Sequence, residues 1–297
     1  MALNKTENSR TAVADVIEWG ERHLADRGFV NPRLDVELLA ADVLKVKRLD
    51  LCLHASGLLK PGEQERIVSD VKRRAAHEPV QYITGNTGFY GLEFETGAGC
   101  FIPRPETEKL VEVLLGETRS LKDREIWGLD LCTGSGNIAI SILKNMPKAV
   151  FHAVDISKEA LDLAGKNAAK NRVAGRITFF EGDLFGPVEP GEKYDIIVSN
   201  PPYIRSKEFA GLPAEVREFE PKAALIPGDE EGLSFYSRVI AGSGSFLKSG
   251  GILAFEVGDE PQAMAVEKLF EKSLLFSRIE RFKDYNRIDR VVLGISR

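Results

Sequence analysis

From residue 126 onward, short apolar runs and amphipathic segments take turns along the chain, and that alternation limits the fold more than any other feature. The runs are IWGLDL, AVFHAVD, ITFFEGD, YDIIVSN and GILAFEVG; between them lie GNIAISILKNM, SKEALDLAGKNAAKN and GLSFYSRVIAGSGSFL. The runs are short and rich in apolar residues, as expected of strands buried on both faces, whereas the segments between them repeat with helical periodicity. Strand and helix in alternation predict an α/β fold, with a parallel sheet covered by helices on both sides. The last two stretches, FSRIERFKDY and RVVLGIS, lie too close together for a helical crossover. They are expected to pair antiparallel at the end of the sheet.

The preceding chain has a different character. Residues 1–78 read as helices alone, a small bundle of its own. Val13, Val16, Ile17 and Leu24 share one helical face, and Gly28 ends that helix. Asn31 caps the next with Pro32 at its first position, and Leu34, Leu38 and Leu39 are its expected buried stripe. Ile67, Val71 and Ala75 mark a third helix after Pro61. Residues 79–103, where aromatic and β-branched residues mix with glycine, read as a β-hairpin or linker. Residues 104–297 then form the α/β domain. A length of 297 residues accommodates this division.

Composition removes several classes of function. The net charge is −5; the first 85 residues are balanced, so the excess acid lies beyond them. A chain that grips nucleic-acid phosphates over a long surface carries the opposite sign, and the run VKRRAAHE reads as a solvated helix face. No apolar run is long enough to span a membrane, and MALNKTENSRTAVADV holds no apolar export core, so the expectation is a cytoplasmic protein. Cys52, Cys100 and Cys132 are scattered, as are His23, His54, His77 and His152; they read as reduced thiols and isolated imidazoles, with no metal site.

Two stretches carry chemistry. In LDLCTGSGNIAI, Gly134, Gly136 and Ala139 fit the glycine pattern of a nucleotide-binding turn at the end of a strand. Asp155, 19 residues past Gly136, stands where a carboxylate can accept from two ribose hydroxyls. Asp183 and Leu184, after the third run, fall where an adenine ring would be flanked. The turn alone suits a nicotinamide dinucleotide as well as another nucleoside. Asp130, just before it, would repel a pyrophosphate and attract an ammonium or sulfonium, which favours S-adenosyl-L-methionine.

The second stretch is SNPPYIRS, Ser199–Ser206, at the end of the fourth run. Ligands of open α/β sheets bind outside the carboxyl ends of strands, so Asn200 and Tyr203 should face the same crevice as Gly134 and Asp155. Two prolines fix two φ angles and make a stiff exit from a strand. Such a corner suits methylation of a planar NH2 group, whose lone pair is delocalised. The Asn200 side-chain oxygen and the Pro201 carbonyl can each take one hydrogen. Tyr203 can pack on the planar group, and Pro202 keeps the corner rigid. No strong base is needed, because the proton becomes acidic only after methyl transfer.

With both motifs placed, the chain resembles the amino methyltransferases that carry Asn-Pro-Pro-Tyr. It is most similar to the protein-(glutamine-N5) methyltransferases of the HemK/PrmC type, which act on peptide chain release factors. EPVQYITG, FYGLEF, FIPRPETE, DLCTGSGNIA, NPPYI and FEVG match that family along nearly the whole chain. The resemblance implies a Rossmann-like S-adenosylmethionine-dependent methyltransferase sheet. It implies that Cys132, Thr133, Gly134, Ser135, Gly136, Asp155, Asp183, Leu184 and Asn200 contact S-adenosyl-L-methionine, leaving S-adenosyl-L-homocysteine as product. Asn200 to Tyr203 would hold the glutamine of a Gly-Gly-Gln loop, and the helical domain would recognise the release factor. Phe101, Arg104 and Glu106 would line the cofactor or link the domains; the plainer reading of Arg104 and Glu106 is an ion pair at a helix start. Cys132 stands where the family has glycine, and Asn286 likewise. A monomer with no direct nucleic-acid or membrane contact is expected.

Three other readings share parts of this pattern. A ribosomal-protein glutamine methyltransferase would use the same crevice. A DNA adenine methyltransferase would need a basic groove that the acidic composition does not offer. An NAD-dependent oxidoreductase would explain the glycine turn and leave Asn-Pro-Pro-Tyr without a role.

Overall fold

The computed structural model describes residues 11–121 and 123–297; the first ten residues, on which part of the export-signal reading rests, lie outside that range. The chain divides into two compact units. One reaches to Gly85 and also takes in Ala214–Phe219; the other comprises Asn86–Pro213 and Glu220–Arg297.

The first unit holds α1 (Val13–Ala25), α2 (Pro32–Leu44), α3 (Leu51–His54), α4 (Pro61–Ala75) and α5 (Val80–Thr84). Val13, Val16, Ile17 and Leu24 of α1 are buried, and they meet Ile67 and Val71 of α4 in one core. The stripe on α2 differs from the expected one: Leu34 is 40% exposed, and Val36, Leu39 and Ala40 are buried instead. Positions 36, 39 and 40 are themselves one helical face. Three leucines in a leucine-rich helix left the choice of face open, and packing against α1 and α4 decided it. Arg74 is buried between Asp35 and Glu215, with its guanidinium 4.4 Å from the centre of the Phe29 ring. The stretch 79–103 is not uniformly extended, since α5 occupies its start.

The second unit opens with the hairpin β1 (Asn86–Phe89) and β2 (Leu92–Glu95), followed by a single turn at Pro105–Thr107 and α6 (Glu108–Glu117). Then come β3 (Ile126–Leu131), α7 (Asn137–Asn145), β4 (Ala149–Asp155), α8 (Lys158–Lys170), β5 (Ile177–Glu181) and β6 (Tyr194–Ser199). Helix α9 (Ala214–Phe219) belongs to the first unit. The chain ends with α10 (Ser234–Ser243), β7 (Leu247–Glu256), α11 (Glu260–Ser273), β8 (Phe276–Lys283) and β9 (Asp289–Ser296). The seven-stranded sheet runs β5-β4-β3-β6-β7-β9-β8, parallel through β7 and antiparallel where β9 joins β7 and β8.

Alternation along the strands sends side chains into two core layers. Ile196, Val198, Ile252 and Ala254 pack with α6 and α7 on one face. Ile197, Leu253 and Phe255 pack with Tyr236 of α10 and Phe270 of α11 on the other. Burying each valine, leucine, isoleucine or phenylalanine among them contributes roughly 1.5–3 kcal/mol. Strand order reverses at β3, with β4 and β5 to one side and β6 and β7 to the other, so the crevice outside the carboxyl ends of β3 and β6 is the natural ligand position. Among the described residues, no helix is long and apolar enough to cross a membrane.

Candidate active site

Backbone register brings the two chemical motifs together. Leu131, the last residue of β3, is the Cα partner of Ser199, the last of β6. The glycine turn and Asn-Pro-Pro-Tyr therefore leave the sheet side by side, roughly 5 Å apart. The same row continues outward. Leu131 also pairs with Val154, Asp155 with Glu181, and Ser199 with Phe255 of β7, which places Glu256 next to the Asn200 corner.

The turn after β3 is closed from beneath. Thr133 N–H donates to the Val154 carbonyl at 3.0 Å, and Gly134 N–H donates to Asp155 Oδ2 at 2.8 Å. The two glycines have different reasons for being there. Both have positive φ, +54° at Gly134 and +79° at Gly136. A Cβ on Gly136 would sit 2.9 Å from Ile140 Cδ1 and 3.3 Å from Ala164 Cβ, so this position serves the packing of α7 and α8. A Cβ on Gly134 would meet no described atom within 4 Å other than its chain neighbours. Gly134 therefore borders open space at the crevice. Cys132 also has positive φ, +60°, which costs a non-glycine residue about 1–2 kcal/mol.

Asp155 accepts from Gly134 N–H and, through Oδ1, from Ser157 N–H at 3.0 Å. Burial raises its pKa, and these backbone donors hold the rise in check. An ionised carboxylate has about four acceptor positions, so it can still receive two hydroxyls. Asp183 pairs at 2.5 Å with Arg238, both half exposed, and Leu184 is buried in the core layer beside Val188.

Asp130 does not face a ligand as a free charge. It is fully buried; its Oδ2 accepts from the Thr133 hydroxyl at 2.7 Å and from Ala139 N–H at 3.3 Å. Burial pushes its pKa up to about 7, so the carboxyl that braces the glycine turn is partly neutral. Its Oδ1 is buried without a hydrogen-bond partner among the described residues.

On the other side of the crevice, Pro201 and Pro202 are buried and Asn200 and Tyr203 are partly exposed. Asn200 Nδ2 donates to Thr107 Oγ1 at 3.3 Å. The Tyr203 hydroxyl reaches Glu256 Oε1 at 3.5 Å, and its carbonyl accepts from Gln262 Nε2 at 3.1 Å. Burial, then the charge of Glu256, raise the Tyr203 pKa, so the phenol stays protonated. Phe101 lies under the Arg104 guanidinium, 4.7 Å from its carbon. Arg104 pairs with Glu220, which also accepts from Ile102 N–H at 3.2 Å; the expected partner Glu106 is not the one it takes.

Sequence reasoning assigned no role to Thr107 or Glu256, although both lie in quoted motifs, PRPETE and FEVG. Each is 1% exposed. The available signal was one carboxylate inside the otherwise apolar run ILAFEVG, since a charge on a doubly buried strand has to serve something.

Comparison with known proteins places these features in a family. Residues 15–85 match the family model described as PrmC N-terminal domain, and residues 105–215 match the methyltransferase small domain. The release factor glutamine methyltransferase of Geobacter sulfurreducens is 38% identical over 95% of this chain and 96% of its own length. That of Clostridium acetobutylicum is 37% identical over 88% and 90%. The chain belongs to the release factor glutamine methyltransferase family. It is thus a methyltransferase, with the α/β sheet that the alternating pattern predicts. A crystal structure of a methyltransferase from Pyrococcus furiosus covers 80% of this chain and 98% of that one, with a TM-score of 0.51 and 16% identity, a likeness of fold alone. The matches to these relatives span both of this chain's units, the helical one and the sheet.

Proposed function

We propose that this enzyme moves a methyl group from S-adenosyl-L-methionine to the side-chain amide nitrogen of the glutamine in the Gly-Gly-Gln loop of peptide chain release factors. The observation that carries this reading is the pairing of Leu131 with Ser199, which sets Asn200 beside the glycine turn. When bound, S-adenosyl-L-methionine supplies an electrophilic methyl group on a sulfonium. The chain's residues fit it: Gly134 leaves open space and Asp155 keeps acceptor capacity for ribose hydroxyls, while Asp183, Leu184 and Phe101 are the further residues that would line the cofactor. Cys132–Gly136 and Asn200 would hold the cofactor.

Asn200 has its amide nitrogen committed to Thr107, so its oxygen is the end left for a donor. That oxygen and the Pro201 carbonyl accept the two hydrogens of the glutamine carboxamide, fix the nitrogen, and favour the positive charge that builds on it. The buried prolines keep the carbonyl in place, and the neutral Tyr203 ring packs on the planar group. Proton loss after transfer needs no strong base. The helical unit recognises the release factor, and the enzyme works as a cytoplasmic monomer.

The test is mass spectrometry of a release factor incubated with enzyme and S-adenosyl-L-methionine, in parallel with ribosomal proteins and duplex DNA. One added methyl on the loop glutamine is expected. An unmodified release factor, or a methyl only on a ribosomal protein or adenine, overturns the substrate.

A further inference from the structure

We propose that Thr107 and Glu256 form a directional relay that dictates which end of the Asn200 carboxamide faces the substrate. The proposal rests on the glutamine-methylation reading and deepens it. A side-chain amide is nearly symmetric in shape, and turning it over exchanges an acceptor for a donor. A corner that presented NH2 to a substrate NH2 would repel it. Asn200 therefore needs something behind it that can tell nitrogen from oxygen.

A lone threonine cannot, because a hydroxyl both donates and accepts. Its direction is set by its other neighbour. The Thr107 hydroxyl interacts with the Glu256 carboxylate and lowers its pKa, as a donor does. Among the described residues Glu256 Oε2 is buried with no hydrogen-bond partner, so it is an acceptor open to that proton. Thr107 has one hydrogen. Once it is given to Glu256, Oγ1 can only accept, and the Asn200 end that meets it at 3.3 Å must be Nδ2. Oδ1 is then turned toward the crevice. Thr107 and Glu256 are positioning residues, since they act through Asn200.

Charge state supplies a further consequence. Burial pushes Glu256 up to about 7, with Thr107, Arg290 and Tyr203 opposing the rise and Glu106 adding to it. The Tyr236 hydroxyl donates to the Glu256 backbone carbonyl at 2.8 Å and leaves the carboxylate alone. Above about pH 7 Glu256 only accepts, and the relay has one direction. Below it, a protonated Glu256 can donate to Thr107, and the amide loses its preferred orientation.

Two measurements test the relay. In the substrate-free enzyme, hydrogen exchange of the Asn200 side-chain amide by NMR should be slow in wild type and in Thr107→Ser. It should be fast in Thr107→Val, which keeps the shape and removes the hydroxyl. In methylation assays, Thr107→Val should lower kcat on the order of 10-fold or more with the KM for cofactor unchanged, and Thr107→Ser should restore it. The acid limb of kcat near pH 7 should disappear in Glu256→Gln. Unchanged amide protection in Thr107→Val overturns the relay, whatever substrate the wild type accepts. Lost protection in an enzyme that leaves release factors unmodified supports the relay and overturns the function it was built on.

Discussion

The Ser199 hydroxyl donates to the Leu131 carbonyl at 2.6 Å, a side-chain bond between the last residues of two adjacent strands. Both residues are buried. The bond holds the glycine turn and the Asn-Pro-Pro-Tyr corner in register where the regular ladder stops. Ser199→Ala should cost about 1 kcal/mol of stability, read by urea unfolding, and lower kcat more than that loss explains. Normal turnover would mean that the ladder alone sets the spacing.

The two glycines should separate binding from stability. Gly136→Ala forces a Cβ against Ile140 and Ala164, so the expected result is a destabilised protein, by 1–3 kcal/mol in order of magnitude. Gly134→Ala meets no described atom beyond its chain neighbours and should cost only the strain of its positive φ, about 1–2 kcal/mol. Its methyl group projects into the crevice, so calorimetry with S-adenosyl-L-homocysteine should record weakened binding. Equal affinity would remove the turn from the cofactor site.

Asp130 gives a pH dependence of definite sign. Its folded pKa, about 7, lies above the unfolded value of about 4. The folded protein therefore binds the proton more tightly, and this contribution is fully present below about pH 4 and lost as pH rises to about 7. Asp130→Asn cannot ionise. Relative to wild type it should gain stability between pH 5 and pH 8, by 1–4 kcal/mol in order of magnitude, measured as the difference in urea midpoints. A constant difference would show that Asp130 is ionised throughout.

In the helical unit, Arg74 is 7% exposed and serves Asp35 and Glu215 together, with its Nε 2.7 Å from Asp35 Oδ2. Arg74→Leu leaves the partly buried Asp35 carboxylate without its cation and should cost on the order of 2 kcal/mol. Arg74→Lys keeps the charge and loses the fork, so it should fall between. Thermal unfolding distinguishes them.

Much of this was readable from residue pattern, for reasons that particular elements make clear. The runs IWGLDL and AVFHAVD became β3 and β4 residue for residue, because a doubly buried strand has no exposed face to blur its ends. Helix α11 was not read, although Asp259 caps it and Pro261 sits in its first turn. Its apolar positions Ala263, Val266 and Phe270 are sparse among charges, which hides the period. Leu34 and Val36 exchanged places because a helix rich in leucine has two plausible faces until its neighbours arrive. Asp130 was placed in the right turn with the wrong direction: spacing locates a carboxylate along the chain and does not say which way it turns. Thr107 and Asn200 are 93 residues apart, and no local pattern could join them.

The helical unit is not one contiguous stretch, since Ala214–Phe219 returns to it from the middle of the other unit. Modular exchange between relatives therefore has two seams. A chimera that swaps only the first 85 residues would keep the recipient's own Glu215 opposite a foreign Arg74 environment. Moving the helical unit from one enzyme to another has to carry both pieces, spliced at both junctions, to move a complete fold.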